Sequence, residues 1–414
     1  MKKLKISKSF LINFIIASIV PLLILGPFFP DLIVSFSCLI FLFYVFKNNN
    51  FYYFNNIPFI VFLSFCIIII ISTIQAENIP LSAKSSFFYF RIGVFSCLVW
   101  YLINKNESIL TFFYYALLLS FSILVLDGYL QYLTGENILG FKIINNRVSS
   151  FFGDELILGS YLSRLFPLLF ALFIIKKKKK FEIYYISLLF ILIDVLVFIS
   201  GERTAFFFLN LSTIFIIILI KEYQKFRLVT FIISILGIFI VSLNSSNLTE
   251  VMFKIPATNM GIIKTETQPT IFSVAHDSHY RSAYRMFKDK PIIGHGPKMF
   301  RILCDYKQYK INKFTCTTHP HNFYIQLLAE TGIMGFLFLF SALLYVFITA
   351  LRHFLSIILK KKRYLTDYQV CLLSGILITV WPFSPNGNFF NNWLIIVYSL
   401  PVGFYLQSLY FKKS

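Results

Sequence analysis

Charge is what this sequence has least of, and negative charge above all: 14% of its 414 residues are charged, with 18 Asp and Glu against 38 Lys and Arg. A chain that is 57% hydrophobic and 19% aromatic, with a mean hydropathy of +0.75, is too apolar for an ordinary soluble surface. On a soluble domain a formal charge of +20 would point to nucleic acid or an acidic partner. No RNA-binding or zinc motif accompanies it, and most basic residues stand in short clusters between apolar runs, so no nucleic-acid partner is expected. A small-x-small cleavage site is missing after MKKLKISKSF, where Pro21, Pro27 and Pro30 stand instead, and the first apolar run reads as an uncleaved span. Cysteines number six, and Cys38, Cys66, Cys97 and Cys371 lie inside apolar runs, where Cys acts as a small inert hydrophobe. No repeat pairs one half of the chain with the other, which argues against an inverted-repeat transporter.

What the sequence has in abundance is long hydrophobic runs. A bilayer core takes about 20 apolar residues per helix, and runs of that kind centre on 10–28, 31–46, 57–75, 86–104, 109–131, 156–175, 183–200, 204–220, 227–244, 333–355, 369–385 and 392–411. The expected fold is therefore all-α, a polytopic integral membrane protein of about 12 transmembrane helices with one large helical loop. Nine spans fall in 1–243, the loop in 244–331, and three spans in 332–414.

Direction follows from the excess of Lys and Arg in cytoplasmic loops. With the N-terminus inside, the inside segments collect Lys2, Lys3, Lys5, Lys8, Lys47, Lys105, Lys176 to Lys180, Lys221, Lys225, Arg227, Arg352, Lys360 to Lys362, Arg363, Lys412 and Lys413. The short outside loops collect only Lys84, Lys142, Arg147 and Arg203. Both termini are expected in the cytoplasm and the long loop outside.

A loop of that length should fold and carry function. Asp277 can cap a helix from Ser278 to Asp289, ended by Pro291. Thr318 can cap a second helix that begins at Pro320, puts His321 in its first turn and ends at Gly332. Cys304 and Cys316 share the loop, in the compartment where disulfides persist, and a bridge between them is expected.

Arginine inside a span costs about 2.5–3.5 kcal/mol on insertion scales and so asks for a partner or a task. Arg164 lies about 18 Å of helix above the Lys176 boundary, in the outer half, and Arg91 lies near the outer end of its span. Arg147 and Arg203 occupy short outside loops, while Arg281 and Arg285 share one face of the Ser278–Asp289 helix. Six arginines are thus expected on one side of the membrane. Guanidinium groups in that number suit a phosphate or pyrophosphate, gripped bidentately, unless each pairs with a nearby acid such as Glu202, Asp154, Glu155 or Asp277. Histidine is the side chain best suited to accept a proton near neutral pH, and His321 is the candidate base, with His319 beside it. His276, His279, His319 and His321 are numerous enough to raise zinc, but no H-x-x-x-H or CxxC spacing supports a metal site, and none is expected.

The run His321-Asn322, nine residues, Gly332, two residues, Gly335 resembles the signature of the O-antigen ligase and O-antigen polymerase family of bacterial envelope proteins. SGERTAF, the outside-loop arginines and the closing WPFSPNGNFFNNW are also similar to that family, so the resemblance covers roughly Glu202 to Trp393. It implies a membrane glycosyltransferase of the bacterial inner membrane, with its site facing the periplasm and no cofactor or metal. The implied donor is an undecaprenyl-diphosphate-linked glycan, and the implied acceptor is lipid A-core for a ligase or a second lipid-linked glycan for a polymerase. Arg203 and Arg285 would hold the donor diphosphate, Arg281 sharing the task, and His321 would deprotonate the acceptor hydroxyl, supported by Asn322, His319, Gly332 and Gly335. Nothing in the chain separates ligase from polymerase, and ligase is favoured as the commoner description. A transporter of anionic lipid-linked sugars is the reading from another class, and it should carry polar groups through the inner half of its spans.

Overall fold

The structure, a computed structural model, describes residues 8–176, 179–263, 269–270 and 272–410. Lys2, Lys3, Lys5, Lys177, Lys178, Lys412 and Lys413, which entered the charge-based orientation, lie outside the described residues. The principal helices are α1 (Lys8–Ala17), α2 (Phe28–Lys47), α3 (Ile57–Ile74), α4 (Ile79–Ser86), α5 (Arg91–Lys105), α6 (Ser108–Thr134), α7 (Leu158–Ile175), α8 (Lys180–Ile199), α9 (Arg203–Leu219), α10 (Gln224–Asn244), α11 (Val274–Asp289), α12 (Phe323–Ile358), α13 (Asp367–Thr379) and α14 (Asn392–Tyr410). Among the described residues there is no strand beyond two isolated bridges, and the chain is an all-helical polytopic membrane protein.

Among the described residues ten helical segments are long and apolar enough to cross a membrane. Two further apolar helices, α9 and α13, are shorter, with 17 and 13 residues. The run expected at 369–385 leaves the helix at Val380, and the chain from Trp381 to Asn391 forms a loop. The run expected at 86–104 likewise begins only at Arg91, after a turn that follows α4. At the axis of the bundle stands α7, buried at every residue from Tyr161 to Phe173 and packed on α6, α8, α9, α13 and α14. That a helix so enclosed carries Arg164 is the first sign of a site.

Arg227, read as a loop residue, is instead wholly buried among the helices. Its guanidinium grips both oxygens of Asp194 at 2.8 and 2.9 Å and also reaches Thr213 and Thr230. Arg91, at the start of α5, is paired with Asp31 at 2.6 Å.

The long loop folds over one end of the bundle. Ser72 at the end of α3 donates to the carbonyls of Ile293 and Glu330, and Lys290 donates to Gln75, so the segment after α11 is stitched to both α3 and α12. Cys304 and Cys316 are joined as a disulfide, Cα atoms 5.2 Å apart.

Both loop helices start elsewhere than expected. α11 begins at Val274, because extended Ser273 accepts the His276 amide at 3.2 Å; Asp277 sits inside the first turn. α12 begins at Phe323, because Asn322 accepts the amides of Tyr324 and Ile325 at 3.0 and 3.1 Å, while the Thr318 hydroxyl is engaged with His319. Gly332 breaks α12 rather than ending it, at φ 63 and ψ −163, and the helix continues to Ile358.

Candidate active site

At the loop end of the bundle a cavity of about 710 Å³ opens between α7, the turn before α9, the start of α11, the His319–His321 segment and residues Phe383 to Gly387. Arg147, Arg164, Arg203, His276, His319 and His321 all line it.

Each arginine is placed by local backbone. Arg147 follows a tight turn whose Asn145 and Asn146 adopt positive φ, and it is anchored to the carbonyls of Ser200 and Leu156 at 3.3 and 3.1 Å. Gly201, at φ +68, lets it lie close: a Cβ there would stand 2.8 Å from the Arg147 side chain. Arg164 donates one bond, to Asn386 Oδ1 at 3.0 Å, and stacks on Phe208 and Tyr398 at 4.8 and 4.9 Å. Its Nε and Nη1, the Asn386 amide nitrogen, Ser384 Oγ and the Tyr398 hydroxyl are buried without a hydrogen-bond partner. Such groups are costly unless a ligand completes them.

Glu202 is the acid best placed to neutralise these arginines, yet its carboxylate is committed elsewhere. It accepts the amides of Gly159 and Ser160 at 2.6 and 3.1 Å and the Ser160 hydroxyl at 2.7 Å, capping α7 from the turn before α9. Burial raises its pKa against the pull of Ser160 and Arg147. Among the described residues no carboxylate stands within ion-pair distance of Arg147, Arg164 or Arg203. The cavity therefore carries three cations without a salt bridge, and Glu202, which also lines it, acts on Arg147 only at longer range.

The other three arginines do not line it. Arg285 donates to the carbonyls of Gln308 and Lys310 at 3.4 and 3.0 Å, Arg281 is exposed beside Asp277, and Arg91 is held by Asp31.

His321 sits in the left-handed region at φ 56, just ahead of the Asn322 cap, and its carbonyl accepts the Asn386 amide at 2.8 Å. Asn322 also donates to Pro382 and Ser384, so the histidine segment and the Phe383–Gly387 wall are one unit. Gly332 is required by contact as well as by φ, since a Cβ would stand 2.3 Å from the Ile292 carbonyl oxygen. At Gly335 a Cβ would collide with the Thr331 side chain. The signature glycines thus fix how the loop lies on α12, and Asn322 fixes where the helix begins.

Around His321 stand three more rings: His319 at 4.1 Å between centroids, His276 and His279 each at 5.4 Å. Burial lowers His321 to about 4, helped by the charge of His279, and lowers His276 to about 4, helped by His321, His279 and Arg203. His319 falls to about 3, by burial and then by His321. All three rings are neutral at pH 7 and can accept a proton. Among the described residues no group of three or more His, Cys, Asp or Glu has metal-binding geometry.

Sequence reasoning missed Asn386, Tyr398 and the site role of His276. It also missed the buried chain in which Gln326 donates to Glu330 and Asn388 at 2.9 Å and Glu330 accepts the Phe300 amide at 3.0 Å. Asn386 stands in the WPFSPNGNFFNNW segment that carried part of the resemblance.

Residues 186–340 match the family model described as O-antigen ligase. That segment is similar to the O-antigen ligase family. The matched segment holds Arg203, His276, His321, Gly332 and Gly335, whereas Arg147, Arg164 and the Phe383–Gly387 wall lie outside it. No curated protein matches the chain. The match supports a function of the O-antigen ligase or polymerase type in general, that of a glycosyltransferase-like enzyme.

Proposed function

We propose that this protein acts as an O-antigen ligase, transferring a glycan from an undecaprenyl-diphosphate carrier to an acceptor hydroxyl of lipid A-core, at the periplasmic face of the bacterial inner membrane, with both termini cytoplasmic. One observation carries the reading: three arginines without carboxylate partners share a cavity with a neutral histidine.

Arg147, Arg164 and Arg203 hold the donor diphosphate, whose oxygens complete the unpartnered Nε and Nη1 of Arg164. His321 takes the proton of the acceptor hydroxyl, and the oxygen attacks the anomeric carbon. The bond from that carbon to the diphosphate oxygen breaks and its electron pair stays on the diphosphate. Charge develops there, where fixed guanidiniums stabilise it without reorganising. Burial keeps His321 neutral, and the anionic donor beside it raises its proton affinity, so the base strengthens with substrate bound. Arg285 joins the diphosphate only by giving up the carbonyls of Gln308 and Lys310, and Arg281 and Arg91 serve their own contacts.

The test is complementation of a strain that lacks the native gene with His321→Ala and Arg203→Ala, read on lipopolysaccharide gels. Loss of all O-chains with accumulation of lipid-linked polymer supports the ligase reading. Core carrying a single repeat points to polymerase instead, and normal ladders from His321→Ala refute the catalytic assignment.

A further inference from the structure

The transfer leaves a proton to be returned. After each turnover His321 is an imidazolium in a cavity that already holds three guanidiniums, while the departing diphosphate has gained a negative charge. His321 must lose that proton before it can act again.

His276 is built into the opposite wall. Ser273 caps α11, and the three-residue spacing folds its hydroxyl back onto the histidine, with Oγ 2.7 Å from Nδ1 and also accepting the backbone amide. The ring is thereby fixed on one nitrogen, and it lines the cavity. The titratable and charged groups that face it are His321, His279 and Arg203, with Tyr280 and Phe272 packed alongside at 6.2 Å. It stands edge-on to His321, at 71° and 5.4 Å between centroids. Two imidazoles whose nitrogens meet at hydrogen-bond range have centroids roughly 5 Å apart.

Neither other ring offers this. His279 is equally near His321 but lies outside the cavity lining, against Phe300, and its proton is drawn to the Phe314 backbone. His319 packs against His321 with the rings tilted by 48°, and its Nδ1 is engaged by Thr318.

We propose, resting on the glycosyl-transfer reading above, that His276 is a second catalytic histidine that takes the proton from His321 and delivers it to the departing lipid diphosphate. The acceptor hydroxyl loses its proton to His321, His321 passes a proton to His276, and a diphosphate oxygen receives one from His276. Both rings end neutral, and the carrier leaves as the hydrogen diphosphate. Burial brings both histidines to about 4, so the exchange between them is nearly even in energy.

The experiment uses the full chain in detergent or nanodiscs, with lipid-linked glycan extracted from cells as donor and core-only lipopolysaccharide as acceptor. His276→Gln is expected to keep the single-turnover rate and lower the steady-state rate about tenfold, with recovery in concentrated imidazole buffer. His279→Gln should show no buffer dependence. An unchanged steady-state rate in His276→Gln, or single-turnover and steady-state rates that fall together without buffer rescue, overturns the relay. Loss of the relay with His321→Ala still inactive in a single turnover leaves the base assignment standing, whereas an active His321→Ala refutes that assignment itself. Should His276→Gln not accumulate, Ser273→Ala removes only the hydroxyl that orients the ring and gives the same pattern at smaller amplitude.

Discussion

Arg227 and Arg164 are both buried cations in a membrane bundle, and the protein treats them in opposite ways. Arg227 has a bidentate carboxylate, two threonine hydroxyls and a stacked Phe166 ring 4.7 Å away, and Ser234 completes the shell of Asp194 at 2.8 Å. Arg164 has one amide oxygen, two aromatic faces and two nitrogens with no partner, and it shares the cavity with Arg147 and Arg203, neither of which has a carboxylate within ion-pair distance among the described residues. The first arrangement is closed and supports the fold. The second leaves polar groups unpartnered, and on the proposed reading a donor anion completes it.

The comparison can be tested by substitution. The largest effect is expected outside it, at His321: removing a general base lowers rate by roughly 10²–10⁴-fold, so His321→Ala should abolish detectable transfer in membranes while donor binding survives. At Arg227 the loss should be of protein rather than chemistry. Removing one partner of a buried ion pair costs about 3–5 kcal/mol, so Arg227→Ala should lower the unfolding temperature in detergent sharply, and Arg227→Met with Asp194→Leu should regain most of it. At Arg164 the opposite signature is expected, with transfer reduced by roughly 10²-fold and thermal stability unchanged or raised, because an unsatisfied buried charge has gone. Equal destabilisation at both positions would dissolve the distinction.

Acid should separate the two regions further. His276 and His321 at about 4 and His319 at about 3 lie below the unfolded value of 6.5, so the folded state favours their neutral forms. Their contribution is fully present above pH 6.5 and is lost as pH falls through the folded values. Protease sensitivity of the loop should therefore rise between pH 6.5 and 4 before the spans are affected. The smallest effect is expected at Arg285, whose carbonyl contacts lie away from the cavity. Arg285→Ala should stay within roughly threefold of wild-type transfer, as for other exposed, weakly coupled charges. A loss as large as that of Arg203→Ala would show that Arg285 moves into the site with substrate.

The sequence made the spans legible because long apolar runs have little other use, and it placed Arg147, Arg164 and Arg203 at one end for the same reason. It did not distinguish them from Arg281, Arg285 and Arg91, since which way a guanidinium turns depends on carbonyls and acids far away in the chain, such as Gln308, Lys310 and Asp31. The start of α12 was misread because TTHPHN holds two capping candidates. Asn322 prevails through its bonds to Pro382 and Ser384, which no local pattern reveals. Glu202 looked like a neutralising partner for arginine, and only the approach of the α7 N-terminus makes it a cap. His276 is far from His321 in sequence, and their meeting depends on how the loop folds back over the bundle.

The most direct measurement of the central claim is the affinity of undecaprenyl diphosphate for the wild-type protein and for Arg164→Ala, both in nanodiscs. A hydrogen bond to a charged group contributes about 1.5–3 kcal/mol, so the account predicts binding weaker by roughly 10–150-fold, with thermal stability preserved. An unchanged Kd in a folded Arg164→Ala protein would contradict it.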